Sequence, residues 1–447
     1  MDQSLESALY SAVHDIHNLL LNSKETIDNS ITMEKHWVKM DGNDDFYMTE
    51  NKYIVLWPYA YQRLNMKLKQ LKSREDAKKK FEADPLFGSQ LNKIVGAEHL
   101  SGNRIEFDDI LYRTISPFFG QKELLEFDSK KLTEKIHSIY QDFVSNEIVL
   151  EEIIPLFGFK AEQNEIIIDV DLRIVKLEQS EISNLLDAGI PIALYTPQSN
   201  FAGEVFEYSI VRKRKFRKVV GPQSPFTENE KEPKISWVNN IIYSMQLFKE
   251  GTIVPVAKVF RGKSIFWSGY ILSEHFSRPI YDSTYILKTG EEARIVDHWQ
   301  KLLNISQRIP NYLHIALSRY SQARVKKTYE DKIIDLMIAA EAIYLQSETD
   351  LNGELSYRLS HRAALLLGKD KKEQKEIFTF FKKAYDVRSK VVHGSTLVIK
   401  KGQMSLDDIV NSLTKYISAS IVKILDMLIN TNQSSFKVDW NEIIFSE

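Results

Sequence analysis

The sequence predicts a multidomain protein of the α+β class, in which helical and strand-rich regions follow one another along the chain. It has 447 residues, and since a domain usually has roughly 100–200, we expect two to four domains. Apolar residues recur every three or four positions in the first and last parts but alternate with other residues in the middle. These patterns predict a mainly helical N-terminal region (1–145), a β-rich middle domain (146–290), an all-helical C-terminal bundle (291–435) and a C-terminal tail (436–447).

The composition is typical of a soluble globular protein, with 43% apolar and 27% charged residues. The absence of cysteine excludes disulfides, thiolate metal sites and a cysteine nucleophile, and it fits a reducing compartment. Because the net charge is −2, binding to a nucleic acid would need a local basic patch. The acidic, amphipathic N-terminus is unlike a signal peptide, and no apolar run is long enough for a membrane span. We therefore expect a cytoplasmic protein with no membrane partner, no cofactor and no metal.

The N-terminal region begins with an apolar stripe that is typical of an amphipathic helix. The stripe consists of Leu5, Leu9, Val13, Ile16 and Leu20. A second helix is expected over about 52–79, and its highly charged end is interpreted as a solvated surface. His14 and His17 lie one helical turn apart, but no third ligand stands at a suitable spacing, so we predict no metal site there.

Strand-like patterns begin in the middle domain. The segments 148–159 and 164–177 are rich in β-branched residues, and apolar residues alternate in the second of them. A short helix is predicted over 180–189, beginning at Ser180 with a capping pattern. Three further strand patterns, IALYT, VFEYSIVRK and TIVPVAKVF, complete an antiparallel or mixed sheet.

The densest basic cluster in the chain, RKRKFRK (212–218), lies inside this sheet region. Basic residues around an aromatic ring are typical of a clamp for the RNA backbone, which makes Arg212 and Arg214 candidate RNA-binding residues. The same charges are typical of an edge strand that avoids pairing with other chains, and we favour this second interpretation.

The last part of the chain predicts a bundle of about five helices joined by short loops. Their spans are about 297–322, 327–347, 353–368, 372–394 and 405–430. These segments carry apolar residues at helical spacing, and Gly368 is a suitable C-cap for the third.

Arg388 and His393 lie near the end of the fourth of these helices. Arginine carries a permanent charge and a fork of donors that suits a phosphate, while the pKa of an ordinary histidine lies close to neutral. Such a pair can cleave RNA without a metal, because a base activates the 2′-hydroxyl and a cation stabilises the phosphoryl charge that develops. The alternative is a solvated pair in which His393 caps the helix end. A second pair, Arg308 and His314, fits the pattern loosely but encloses Pro310 and lacks a following glycine.

Three ordered segments resemble the Apea-like group of the HEPN superfamily. They are YEDKIIDLMIAAEAIYL, GELSYRLSHRAALLLG and AYDVRSKVVHGS, and the resemblance covers less than a third of the chain. It implies an all-helical domain that pairs as a two-fold homodimer and, with an intact Arg-x4–6-His motif, acts as a metal-independent endoribonuclease. Arg388 and His393 would then be catalytic, with RNA such as tRNA as the partner. Cleavage would serve anti-phage defence by abortive infection, and the earlier regions would sense a phage-derived trigger or restrain the nuclease.

The resemblance also implies supporting residues around the motif. Ser389 stands where active members often have Asn, Asp or His, and it can still form a hydrogen bond. Glu341 lies among apolar residues, where a carboxylate needs a partner; it either orients the catalytic pair or forms a structural ion pair with an arginine. Tyr385 is a candidate platform for stacking a base, and a core aromatic is the alternative.

Three further basic residues, Arg358, Arg362 and Lys390, are candidate contacts for the RNA backbone. Arg358 and Arg362 lie on one helix face, and they are the two arginines with which Glu341 would form a structural ion pair. Both are equally typical of a solvated edge of the bundle. The alternative function is a non-catalytic HEPN dimer that binds nucleotide or RNA, or acts as a scaffold. A third interpretation assigns only dimerisation to the bundle and the function to the regions before it.

Overall fold

The computed structural model describes residues 2–39, 47–98, 100, 102–190, 201–202, 206–221, 234–276, 284–346, 354–394, 404–430 and 436–445. The fold is mixed α/β, with helices packed around a curled antiparallel sheet. No helix within the described ranges is long and apolar enough to cross a membrane.

The N-terminal part combines helices with two small strand pairs. In order they are α1 (Gln3–Leu21), α2 (Lys24–Asp28), β1 (Ile31–Lys39), β2 (Tyr47–Val55), α3 (Trp57–Arg63), α4 (Asn65–Lys69), α5 (Lys72–Ala83), α6 (Pro85–Gly88), β3 (Ile94–Ala97), β4 (Gly102–Arg104), α7 (Phe107–Ile115), a 3-10 turn (Ser116–Phe118) and α8 (Ser129–Val144). The apolar stripe predicted for the first helix is buried in α1. The single helix expected over 52–79 is wrong. Its first residues pair with β1 in a nine-residue hairpin, and the remainder forms three short helices.

The middle part supplies most of the sheet. It contains β5 (Glu147–Phe157), β6 (Phe159–Ala161), β7 (Glu165–Asp169), β8 (Leu172–Lys176), α9 (Gln179–Asp187), β9 (Phe201–Ala202), β10 (Tyr208–Val220), α10 (Trp237–Phe248), β11 (Val254–Pro255), β12 (Ala257–Ser264), β13 (Trp267–His275) and β14 (Tyr285–Leu287). The segment 164–177 is a hairpin of β7 and β8 rather than one strand. The predicted cap at Ser180 is also wrong, because Glu178 and Glu181 form the capping box of α9. The IALYT segment lies outside the described residues.

The strand that carries the basic cluster, β10, lies inside the sheet. The main path runs β13-β12-β5-β10-β3-β4. β10 pairs with β5 along one side, and with β8 and then β3 along the other. On the side away from β5, the strand pairs with β8 as far as Arg212 and with β3 from Lys218 onward, so residues 213–217 have a strand partner on one side only. The edge-strand interpretation therefore fits this stretch of β10 and is wrong for its two ends. Alternation instead sends its basic side chains to two faces, where glutamates of β5 lie close to several of them.

The C-terminal part is helical. It contains α11 (Glu292–Ile305), α12 (Asn311–Arg324), α13 (Tyr329–Tyr344), α14 (Leu355–Leu367), α15 (Lys371–Val392), α16 (Leu406–Ile429) and α17 (Trp440–Phe445). The helix expected over 297–322 is two helices, since Pro310 cannot donate a backbone hydrogen bond and stands at the N-cap of α12. The other four predicted spans correspond to α13, α14, α15 and α16. Within the predicted tail, α17 buries Trp440 against the bundle core.

Apolar cores continue across the predicted region boundaries. One core joins the N-terminal helices to Leu150 of β5 and Phe260 of β12. α10 lies between the sheet and the bundle, with Met245 in the sheet core and Leu247 in the bundle core. The sheet therefore supports α10, and α10 supports the bundle that carries Arg388.

Candidate functional site

The candidate site lies at the C-terminal end of α15. The N-cap of this helix is Asp370, whose carboxylate accepts a hydrogen bond of 2.8 Å from the backbone N–H of Glu373. It ends at His393, the C-cap, whose backbone N–H donates to the carbonyl of Ser389 at 3.1 Å. Gly394 follows with φ of 66°, the left-handed conformation that commonly terminates a helix and that glycine adopts without strain. The Arg-Ser-Lys-Val-Val-His-Gly sequence thus places the histidine where the helix stops.

Arg388 lies between helices α15 and α13. Its Nη2 is 3.7 Å from Oε1 of Glu341, and both side chains are about one quarter exposed, at 26%. Burial raises the pKa of the Glu341 carboxyl, and the charge of Arg388 partly opposes this rise. The Nε of Arg388 is buried and forms no hydrogen bond to the described residues. The structure therefore brings Arg388 and Glu341 together and leaves donors of the guanidinium unused.

His393 is exposed at the end of the same helix. Five residues of α-helix place two side chains about 7.5 Å apart along the axis and about 140° apart around it. Arg388 consequently faces α13, while the imidazole of His393 faces solvent and forms no hydrogen bond within the described part of the chain. One copy of α15 does not direct both groups to the same side.

The neighbours of the motif differ in their surroundings. Ser389 is half-buried, and Lys390 is exposed. Tyr385 is half-buried and packs against the bundle core, so its ring is only partly available for stacking on a base. These three residues lie within one turn of Arg388 on α15.

The basic face of α14 lies elsewhere in the bundle. Arg362 donates a hydrogen bond of 2.7 Å to the carbonyl of Tyr344, the last residue of α13, and its guanidinium lies 5.2 Å from the ring of Trp440. Arg362 therefore caps α13 and holds α17. The first turns of α14, which carry Arg358, contact α15 near Phe378, ten residues and about 15 Å of helix before Arg388.

Arg212 and Arg214 lie in the sheet rather than beside the motif. Both approach the carboxylate of Glu152, which is fully buried on β5: Nη1 of Arg214 is 3.2 Å from Oε1, and Nη1 of Arg212 is 3.9 Å from Oε2. Lys258 of β12 approaches the same carboxylate at 3.6 Å. Sequence reasoning missed Glu152 and Lys258. A pair of glutamates inside the apolar strand IVLEEIIPLF was the available indication, because a buried carboxylate needs a cation.

Comparisons of the chain with protein-family models, with curated proteins and with solved structures found no match. The resemblance of the three C-terminal segments to the HEPN superfamily therefore stays a prediction. The inference about function therefore rests on the geometry of α13 and α15.

Proposed function

We propose that the chain is a metal-independent endoribonuclease of the HEPN type, with Arg388 and His393 as its catalytic residues. The observation that carries the proposal is the end of α15, where a half-buried arginine with unused donors precedes an exposed histidine at the helix terminus. A guanidinium next to solvent can bind two phosphoryl oxygens at once, and an exposed imidazole can exchange protons with a bound ligand.

In the proposed reaction, His393 takes the proton of a ribose 2′-hydroxyl. The 2′-oxygen then attacks the adjacent phosphorus, and the bond from phosphorus to the 5′-oxygen of the next nucleotide breaks. A protonated histidine returns a proton to that leaving oxygen, so the products are a 2′,3′-cyclic phosphate and a 5′-hydroxyl. Arg388 stabilises the negative charge that develops on the phosphoryl oxygens.

Two copies of the chain fit this chemistry better than one. Base and acid are separate roles, and α15 directs its arginine and its histidine to different sides. A two-fold axis near the helix end would bring a histidine from each copy to one phosphate. Val392, next to His393, is 50% exposed, and burial of such an apolar side chain would favour pairing at this end.

In the cellular setting implied by the resemblance, the substrate is an RNA of translation such as tRNA, and cleavage halts growth during phage infection. Residues 1–290 would receive a phage-derived trigger and restrain the bundle until then. The close packing of α10 against both sheet and bundle is consistent with such a restraint.

The test is cleavage of RNA by wild type, His393→Ala and Arg388→Ala, in the presence of a metal chelator. We expect both variants to lose at least about 100-fold in rate, the usual loss when a general base or a charge-stabilising group is removed. His314→Ala is the matched control, since His314 belongs to the second arginine–histidine pair and lies on α12. A substrate with one 2′-deoxynucleotide must resist cleavage at that position. If folded wild type binds RNA but never cleaves it, the alternative of a non-catalytic RNA-binding or scaffolding dimer replaces the nuclease.

A further inference from the structure

A row of lysines follows the solvent-facing side of α15. Lys372, Lys375, Lys382 and Lys390 are exposed, and none of them forms an ion pair within the part of the chain that the structure describes. The helix as a whole has seven Lys and Arg residues against three acids, and the neighbouring helix α14 has two arginines and no acid. Because the net charge of the chain is −2, this is a local surplus of positive charge.

The acids near this row do not neutralise it. The carboxylate of α13 that reaches α15 lies beside Arg388, on the side turned towards the bundle, and Asp408 of α16 interacts with Lys383. The exposed acids of α15 itself are Glu376 and Asp386, which are two against the four lysines of the row. Two positive charges therefore remain on a solvent-facing surface, where an anionic ligand would supply their partners.

An exposed aromatic ring lies beside the middle of the row. Tyr357 of α14 is 47% exposed. Its ring meets that of Phe378 in a T-shaped contact at 5.5 Å and stacks on His361 at 5.8 Å. Phe378 stands between Lys375 and Lys382 on α15, and the ammonium of Lys382 lies 6.0 Å from the Phe378 ring. Two contacts thus fix the Tyr357 ring next to these lysines, and about half of the residue stays open to solvent.

The helix aligns these lysines with His393. Lys375 and Lys382 precede His393 by 18 and 11 residues, which are close to whole numbers of helical turns, so the three side chains leave α15 on the same side. A rise of 1.5 Å per residue places the two lysines about 27 Å and about 16 Å from His393 along the axis. One strand of RNA can therefore contact all three residues while it follows a single face of the helix.

We propose that Lys375, Lys382 and Tyr357 form a subsite that holds an RNA strand at a distance from the phosphate to be cleaved. The two ammonium groups bind backbone phosphates and a base stacks on the Tyr357 ring, the combination by which proteins bind single strands with little sequence preference. The identity of the ligand rests on the proposed function, but the subsite binds without cleaving. The substrate class that it selects is a single strand long enough to extend about 27 Å from the cleaved bond, rather than a dinucleotide.

The first experiment measures binding of a fluorescent 2′-O-methyl oligouridylate by anisotropy at several salt concentrations. This strand has no free 2′-hydroxyl, so the proposed reaction cannot cleave it. The test variant is Lys375→Met with Lys382→Met, and the control is Lys67→Met with Lys69→Met, which removes two exposed lysines of α4. We expect the test variant alone to bind at least about tenfold more weakly, with a salt slope smaller by about 1.4, since each phosphate contact to a single strand contributes about 0.7. Tyr357→Leu should bind roughly tenfold more weakly with an unchanged salt slope, because it removes stacking and no charge.

The second experiment compares cleavage of a diribonucleotide with cleavage of an oligouridylate of about twelve nucleotides. In the test variant, kcat/KM should fall about tenfold for the long strand and stay unchanged for the diribonucleotide, which cannot reach Lys382 from His393. Equal affinities of the test and control variants would overturn the subsite, whether or not the chain cleaves RNA, and so would a wild type that binds no RNA. Weaker binding by the test variant of a chain that cleaves neither substrate would support the subsite and overturn the proposed nuclease. Thermal melts verify that the variants are folded.

Discussion

Replacing Glu341 by glutamine distinguishes two roles of this residue: positioning Arg388 for activity, or stabilising the fold through a structural ion pair. The carboxylate lies 3.7 Å from Arg388, which corresponds to a gross attraction of about 4 kcal/mol at an effective dielectric constant of about 20. Both groups are partly exposed, and the net value of such pairs is about 0–1 kcal/mol. Burial nevertheless raises the pKa of Glu341, so the cost of desolvating the carboxylate exceeds what Arg388 returns.

The direction of the pH dependence follows from this pKa. A carboxyl whose pKa is higher in the folded state contributes its full stability below the unfolded pKa of about 4.3, and loses it as the pH rises through the folded value. Glutamine does not titrate, so its contribution to stability does not fall as the pH rises. Glu341→Gln should therefore match wild type near pH 4 and, at pH 7.5, equal or exceed it in free energy of unfolding by up to about 1 kcal/mol.

The rate of RNA cleavage by Glu341→Gln should fall, although its free energy of unfolding does not. Without the carboxylate, Arg388 is no longer held beside α13, and in the proposed nuclease a displacement of its guanidinium by about 1 Å would cost roughly 100-fold in rate. The assay combines urea unfolding at pH 4.5 and 7.5 with RNA cleavage at pH 7.5. Glu376→Gln, at an exposed position of α15, is the control and should change neither quantity. A loss of more than about 2 kcal/mol at both pH values would refute the reasoning, because the pair would then be structural.

Two further predictions concern the sheet. Glu152→Ala leaves three cations around an empty buried position and should cost about 3 kcal/mol in urea unfolding, whereas Glu147→Ala, exposed on the same strand, should cost under about 0.5 kcal/mol. Burial lowers the pKa of Lys218 to about 8. Between about pH 8 and 10.5 the unfolded chain binds the additional proton, so stability should rise with pH in thermal melts, and Lys218→Met should remove that rise. An unchanged pH profile in this variant would contradict the assigned pKa.

The helices that could be predicted are those with a stripe of apolar residues at helical spacing, because such a stripe forms the face that is buried. α1, α13 and α16 have such stripes: the five residues predicted for α1 are buried, and apolar residues at helical spacing are buried along the other two helices. The hairpin of β1 and β2 could not be predicted in the same way, because both of its faces are partly exposed and its stability comes from pairing across nine positions. The local sequence pattern of one strand contains no information about which other segment pairs with it.

The same limit explains the outcome for the basic cluster. The composition of RKRKFRK suggested an edge, and residues 213–217 do pair on one side only. The strands that pair with its two ends, and the glutamates of β5 that face the cluster, lie far away in the chain and could not be predicted from it. Likewise, the sequence predicted that Arg388 and His393 lie near the end of one helix, but the contact between Arg388 and Glu341 depends on how α13 packs against α15. The local helix could be predicted from the sequence, whereas the packing and pairing between distant segments could not.

The position of α10 determines how variants in the sheet must be interpreted. Its carbonyls at Gln246 and Leu247 accept hydrogen bonds from Tyr320 of α12 and Ser418 of α16, at 2.9 Å in both cases. Its first residue, Trp237, lies against Arg212 of the sheet. A substitution that weakens the sheet therefore also weakens the support of the bundle, and a loss of RNA cleavage in such a variant does not by itself locate a catalytic group. A pair of variants that differ in rate without a loss of stability avoids this ambiguity, and Glu341→Gln against Glu376→Gln is such a pair for the positioning of Arg388.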